Sequence, residues 1–161
     1  MRIGGVGLRL EGEDEKLCVV AFEEKEEDSE PQLEVLRRTI AELEKYFQGE
    51  RREFSAELAP AGTPFQLRVW RELSNIPYGE TRSYREIAEK IGSPKAVRAV
   101  GAANGANPIG IIIPCHRVIG NDGSLTGYGG GLDLKRRLLE LEGALPRDRE
   151  EPQPSLFADP E

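Results

Sequence analysis

The 161-residue sequence predicts a small α/β domain over 1–60, followed by a mostly α domain over 61–145 with a helix-turn-helix layout. Three observations carry this expectation. Two strand-like apolar runs precede one amphipathic helix pattern in the first domain. The linker Ala59-Pro60-Ala61-Gly62 then interrupts the periodicity. Beyond it lie short helix patterns separated by turn signals, and one apolar run that ends in Pro114-Cys115-His116-Arg117.

In the first domain, residues 6–10 and 17–22 read as strands joined by an acidic turn over 12–16. Residues 23–30 form an acidic loop. Pro31 then opens a helix whose Leu33, Leu36, Ile40, Leu43 and Phe47 share one face, with Gly49 placed to stop it. Residues 54–58 suit a further strand. Cys18 falls in an apolar strand pattern and is expected in the core.

In the second domain, Thr63-Pro64-Phe65-Gln66 carries a helix start: Thr63 as cap, Pro64 in the first turn, Gln66 completing a capping box. Phe65, Val69, Trp70 and Leu73 form the apolar stripe, and Pro77-Tyr78-Gly79 ends the segment. Residues 83–91 form a second helix. Gly92-Ser93-Pro94 is a three-residue turn in which Ser93 caps a third helix over 95–104, with Val97, Val100 and Gly101 facing inward. Helix, short turn, helix is a layout whose second helix commonly enters a DNA groove, although many helical hairpins bind no DNA. The glycine-rich stretch 120–131 can expose backbone donors to a ligand or serve as a flexible connection. Residues 132–141 form a last amphipathic helix ending near Gly143, and the proline-rich acidic tail 146–161 is expected to be disordered.

Composition narrows the function classes. No apolar run approaches the length of a membrane span. The N-terminus lacks a secretory apolar segment, and two widely spaced cysteines make no disulfide framework, so a reducing, cytoplasmic setting is expected. The net charge of −7 argues against a polyanionic partner until its distribution is read. Residues 1–60 carry 9 basic and 16 acidic side chains, and 121–161 carry 5 and 9, whereas 61–120 carry 8 and 4. The basic surplus is confined to the middle of the chain, and a local basic face can bind nucleic acid despite a negative total.

Pro114-Cys115-His116-Arg117 concentrates the chemistry. His116 is the single histidine. An imidazole and a guanidinium beside a thiol can depress its pKa and raise its thiolate fraction. The alternative is a cysteine acting as a small core hydrophobe after a buried strand. On a regular strand Cys115 and His116 would point to opposite faces, but Pro114 argues for irregular backbone. A structural zinc needs about four ligands, and two cysteines with one histidine cannot supply them, so no metal is expected.

Several stretches together resemble the O6-alkylguanine-DNA alkyltransferases: Pro77-Tyr78-Gly79-Glu80-Thr81, Ser83-Tyr84, Lys95-Ala96-Val97-Arg98-Ala99-Val100-Gly101, Asn107-Pro108, Ile112-Ile113-Pro114-Cys115-His116-Arg117-Val118, Gly127-Tyr128 and Gly130-Gly131-Leu132. They occur in family order over about 62–145. The resemblance implies a ribonuclease H-like first domain, a winged-helix-like second domain, and double-stranded DNA containing alkylated guanine as partner. It also implies irreversible, stoichiometric transfer of the alkyl group from O6-alkylguanine, or O4-alkylthymine, to Cys115 after base flipping, with no cofactor. A monomer associated with the nucleoid is expected. The alternatives are a non-catalytic alkylguanine-flagging protein, which Cys115 argues against, and a helix-turn-helix regulator.

The resemblance also implies roles. His116 would act as base toward Cys115 through a water, and Glu142 would orient His116. Tyr84 would assist the departing guanine and crowd the rotating phosphate, and Arg98 would fill the gap left in the base stack. Lys95 and Ala99 would lie at the DNA face. Asn107 would brace the turn that carries Cys115. The Gly129 amide, beside Tyr128, would reach the guanine oxygen, and the Cys115 and Val118 carbonyls would read its exocyclic amine. Arg117 would support the site through hydrogen bonds. Two departures bear on the site: Gly105-Ala106 precedes Asn107 where many relatives have a basic residue, and Gly110 would leave a roomier alkyl pocket with poorer recognition of benzyl-type groups. Finally, Gln153, Leu156 and Phe157 resemble a sliding-clamp docking motif in the tail.

Overall fold

A computed structural model of the chain describes residues 1–25 and 30–145. The first domain is a three-stranded antiparallel sheet of β1 (Arg2–Ile3), β2 (Val6–Glu13) and β3 (Lys16–Phe22), in that order, covered by α1 (Glu34–Phe47). β1 escapes the sequence pattern because it is two residues long; Gly4 and Gly5, with φ of +58° and +81°, supply the tight turn into β2. The β2–β3 hairpin is longer than expected. Its loop is Asp14-Glu15 alone, both left-handed, with Glu13 paired to Lys16.

Glu15 has a second task. Its Oε2 accepts from the Val35 amide at 2.9 Å, placing a carboxylate on the first turn of α1. This long-range cap, rather than Pro31, fixes where the helix begins. Val35, Leu43 and Tyr46 are its buried apolar residues, and Gly49 follows its end with φ +76°.

The expected strand over 54–58 does not form. Instead the segment touches the outer edge of β3 once, at Leu17↔Leu58, with the Leu17 amide donating to the Glu57 carbonyl at 2.8 Å. A little further along the same edge, the Val20 amide donates to the Pro108 carbonyl and the Gly110 amide to the Val20 carbonyl, each at 2.9 Å. An edge strand with free donors invites pairing. Here the linker and the second domain satisfy it, which clips the two domains together close to Cys115. Cys18 is half-buried and lies outside the core, because the inward face of β3 belongs to Leu17 and Val20.

The second domain packs α2 (Pro64–Leu73), α3 (Tyr84–Lys90), α4 (Val97–Gly105) and α5 (Leu132–Leu141) around Val69, Trp70, Leu73, Ile87, Val100 and Leu138. The Thr63/Gln66 capping box of α2 is present, and Ser83/Glu86 makes another on α3. Trp70 donates Nε1–H to the Ala103 carbonyl at 2.8 Å, tying α2 to α4. The connection between α3 and α4 runs over 91–96, longer than the three-residue turn expected. Ala96, not Ser93, precedes α4, and no side chain caps it. The buried face of α4 is Val100, Ala103 and Asn104, while Val97 and Gly101 are half-buried. A two-residue parallel pair, β4 (Arg82–Ser83) with β5 (Val118–Ile119), joins the start of α3 to the cysteine segment.

No helix among the described residues is long and apolar enough to cross a membrane. The clamp-like motif at Gln153, Leu156 and Phe157 lies outside the described residues.

Candidate active site

The run over 109–113 does not form the strand expected of it. Ile109 bridges once to Val20, and the chain then turns on itself, with Ile113 N–H donating to the Ile109 carbonyl at 3.0 Å and Cys115 N–H to the Ile113 carbonyl at 2.8 Å. Ile111 has φ +69°, a conformation that costs a β-branched residue on the order of 1–2 kcal/mol. Cys115, His116 and Arg117 follow as one 3₁₀ turn (Cys115–Arg117). The turn is braced by Asn107, whose Nδ2 donates to the Ile113 carbonyl at 2.8 Å and whose Oδ1 accepts from the Ile109 amide at 3.0 Å.

Behind the turn lies a buried carboxylate. Glu142, at the C-terminus of α5, accepts from four donors: His116 Nε2 at 2.8 Å, Arg117 Nε at 2.7 Å and Nη2 at 3.1 Å, and Tyr46 OH at 2.6 Å. Arg117 also donates to the Ile76 carbonyl at 2.7 Å. Burial alone would raise the Glu142 carboxyl, but the hydrogen bonds and positive charge of His116 and Arg117 outweigh it and bring it down to about 2. Burial drives His116 below its usual pKa, against the pull of Glu142, and the ring is neutral at pH 7. A neutral imidazole whose Nε2 faces a carboxylate carries its proton there. Nδ1 is then the basic nitrogen, and it is buried with no hydrogen-bond partner among the described residues.

The thiol differs from the reading of the tetrapeptide alone. Burial raises the Cys115 pKa, with a hydrogen bond from Asn107 and the charge of Lys135 opposing. The flanking side chains do not depress it through charge, because Arg117 is engaged by Glu142 and His116 is uncharged, although the His116 backbone amide lowers it slightly. The useful cation is Lys135 of α5, which is fully buried and donates to the Val118 and Thr126 carbonyls, each at 2.6 Å. Its own pKa is lowered by burial to about 8, with the cysteine pulling it back up.

Cys115 lines a cavity of about 230 Å³ with Asn107, Gly110, Tyr128, Gly129 and Phe22, far above the ~30 Å³ of one water. It adjoins an open groove of about 520 Å³ lined by Tyr84, Val97, Gly101 and Thr126, and the two share Asn104, Gly105, Gly127, Tyr128 and Gly129. Tyr84 and Thr126 span that groove through a 2.9 Å hydroxyl–hydroxyl hydrogen bond. Lys95, Arg98 and Ala99 are all exposed near the start of α4. Val118 is buried, does not line the cavity, and has its carbonyl engaged by Lys135. The roomier wall expected at Gly110 is absent. A Cβ there would come within 3.1–3.3 Å of the Phe22 ring and the Val20 carbonyl, so Phe22 fills the space.

Three participants escaped the sequence reading. Tyr46 continues the buried face of α1 and gives no sign of its distant partner. Lys135 was legible, since Lys135, Leu138, Leu139 and Glu142 lie at i, i+3, i+4 and i+7, and two charges on an apolar stripe demand an explanation. Phe22 lies at the end of an ordinary strand pattern.

The fold and site together define a two-domain protein with a buried thiol at the head of a groove and a carboxylate–imidazole pair behind it. Residues 8–60 match the ribonuclease-like domain, and residues 64–144 the DNA-binding domain, of 6-O-methylguanine DNA methyltransferase. The chain is 60% identical over 111 residues to the methylated-DNA–protein-cysteine methyltransferase of Methanosarcina acetivorans, covering 69% of this chain and 71% of that one. It is 65% identical over 103 residues to that of Mycobacterium tuberculosis, covering 64% and 62%. The crystal structure of Mycobacterium tuberculosis OGT in complex with DNA superposes with a TM-score of 0.77 at 52% identity, over 85% of this chain and 86% of the other. The chain belongs to the 6-O-methylguanine DNA methyltransferase family.

Proposed function

We propose that this chain is a DNA repair protein that removes the alkyl group from O6-alkylguanine, and by the same displacement from O4-alkylthymine, by accepting it irreversibly on Cys115. One observation carries the reading. Cys115 lines a cavity that shares its wall with the groove beside α3 and α4, and the neighbouring His116 is paired with Glu142.

The proposed sequence of events uses the two domains at 1–60 and 61–145 unequally. The second binds duplex DNA as a monomer in the nucleoid, with α3 and α4 as the helix-turn-helix and Lys95, Arg98 and Ala99 toward the DNA. The damaged nucleotide turns out of the stack into the groove, because its O6 substituent is unreachable inside the duplex. Arg98 takes its place, and Tyr84 crowds the rotating phosphate. His116 Nδ1 removes the Cys115 proton through a water, and Glu142 stabilises the imidazolium that results. Asn107 and Lys135 hold the thiolate. Sulfur then attacks the alkyl carbon opposite O6. The S–C bond forms as the C–O6 bond breaks, the electron pair passes to the guanine ring, and Tyr84 donates a proton or hydrogen bond to the departing base. The Gly129 amide, beside Tyr128, reaches O6, and the Cys115 carbonyl meets the exocyclic amine; the Val118 carbonyl is held by Lys135 and takes no part.

The test is the mass of the protein after incubation with an O6-methylguanine oligonucleotide. One methyl on the peptide that contains Cys115, abolished in Cys115→Ala, is the expected result. Binding without a mass change would instead indicate a flagging or regulatory protein.

A further inference from the structure

The geometry points to Phe22, at the end of β3, as the residue that sets how large an alkyl group the Cys115 cavity accepts. The inference deepens the repair reading above and rests on it. Phe22 lines the cavity of about 230 Å³ that holds Cys115, and it also lines an outer groove of about 660 Å³, with Arg2, Gly7, Glu23 and Leu134, that Cys115 does not reach. Together with Gly129, common to both, its ring is the partition between them.

The slot for that ring is cut from the second domain. A Cβ built on Gly110 would lie 3.1 Å from the Phe22 ring, and one on Gly130 would lie 3.2 Å from it. Both glycines therefore permit a close approach that any side chain would oppose. The ring also meets Tyr128 at 5.3 Å between centroids, tilted by 59°. That is direct aromatic contact and leaves no layer for a third ring between them. Phe22 is accordingly a wall, not half of a stacking clamp. The wall is anchored at both ends of the domain contact: Phe22 pairs with Leu8 in the sheet, and Val20, two residues earlier, is hydrogen-bonded to Pro108 and Gly110.

The reaction coordinate explains why this wall matters. In a displacement, sulfur, carbon and O6 lie in line, so the remaining substituents of the carbon project sideways. A methyl carbon places only hydrogens there. A benzyl or butyl carbon directs its chain at the cavity wall, and where that wall is Phe22 the ring must be displaced from its glycine slot. Without the ring, the thiol cavity and the outer groove become continuous.

The experiment compares the full chain with Phe22→Ala and Phe22→Leu on two oligonucleotides that differ only in carrying O6-methylguanine or O6-benzylguanine. The rate of mass gain on the Cys115 peptide is read for each, with thermal melting confirming that each variant folds. The benzyl-to-methyl rate ratio should rise roughly tenfold or more in Phe22→Ala, the scale on which a hydrophobic pocket discriminates size, and by less in Phe22→Leu. A ratio within twofold of wild type in the folded variants overturns the inference. A falling ratio also overturns it, because the ring would then be stacking on the benzyl group. If Phe22→Ala does not fold, Phe22→Leu alone decides. No methylation of wild-type Cys115 would sink the repair reading and this inference with it, whereas normal methylation with an unmoved ratio removes the inference alone.

Discussion

Tyr46 and Glu142 are separated by 96 positions, yet the Tyr46 hydroxyl donates to Glu142 Oε2 at 2.6 Å. The same carboxylate oxygen accepts from His116 Nε2. A helix of the first domain therefore holds one side of the group that orients the imidazole in the second. Burial and the neighbouring Glu142 charge push the Tyr46 hydroxyl far above its ordinary pKa, so it keeps its proton and donates it to the carboxylate.

Tyr46→Phe keeps the ring and deletes the donor. A hydrogen bond to a charged group contributes about 1.5–3 kcal/mol, and denaturant unfolding should show a loss of that order. Methyl transfer should slow as well, because His116 loses part of what fixes Glu142. A variant as stable and as fast as wild type would show that Arg117 and His116 alone define the carboxylate.

Lys135→Met should slow transfer and raise the Cys115 pKa further, since Lys135 is the cation that opposes the effect of burial on the thiol. In the wild type, alkylation by iodoacetamide should rise with pH and reach its midpoint above the ~8.5 of an ordinary cysteine. In Lys135→Met the midpoint should move higher still. A wild-type midpoint below neutrality would contradict the role given to burial.

Stability should fall on acidification in two stages. His116 has a folded pKa below its unfolded value, so unfolding takes up a proton as the pH drops below the unfolded value near ~6.5. Glu142 is likewise depressed, to about 2 from an unfolded value near ~4.3. Its contribution is intact above the unfolded pKa and is lost as the pH falls toward 2. Melting temperatures between pH 7 and 3 should show both limbs, and His116→Asn should remove the first and keep the second. A flat wild-type profile from pH 7 to 5 would mean that His116 titrates alike in the folded and unfolded protein, and a stability that rises on acidification would mean that it is charged in the folded one.

Local signals and long-range ones divided the legibility of this chain. Capping chemistry at Thr63 and Gln66, and the boundaries of α5, were written in neighbouring residues and could be read directly. The start of α1 depends on Glu15, 20 positions from Val35, and the path of 109–113 depends on pairing with Val20 and on Asn107. An Ile-rich run has the composition of a buried strand, and nothing in its periodicity announces a left-handed Ile111. The same division holds in the site. Cys115 and His116 were conspicuous, but the sign of the thiol shift was not, because it depends on burial and on Lys135 rather than on adjacent charges. Phe22 was invisible for a related reason: its importance comes from glycines 88 and 108 positions away.

Under the proposed mechanism, Arg98→Ala should separate base extrusion from chemistry. Arg98 is exposed near the start of α4, and Tyr84, at the start of α3, lines the groove that leads toward Cys115, so the arginine can act on DNA without touching the thiol. Extruding a nucleotide costs a few kcal/mol of lost stacking and pairing, and a side chain that fills the gap offsets part of that. Losing about 1–3 kcal/mol of such compensation slows the duplex reaction roughly 5- to 150-fold. A free O6-alkylguanine base needs no extrusion, so its rate should change far less. The measurement is the ratio of Cys115 alkylation rates on duplex and on free base, in wild type and variant, because the ratio cancels any general loss of folded protein. Equal slowing on both substrates would place Arg98 in support of the pocket, and faster reaction with a lesion opposite a mismatch than opposite cytosine, restored toward wild-type rates, would be the signature of a defect confined to opening the pair.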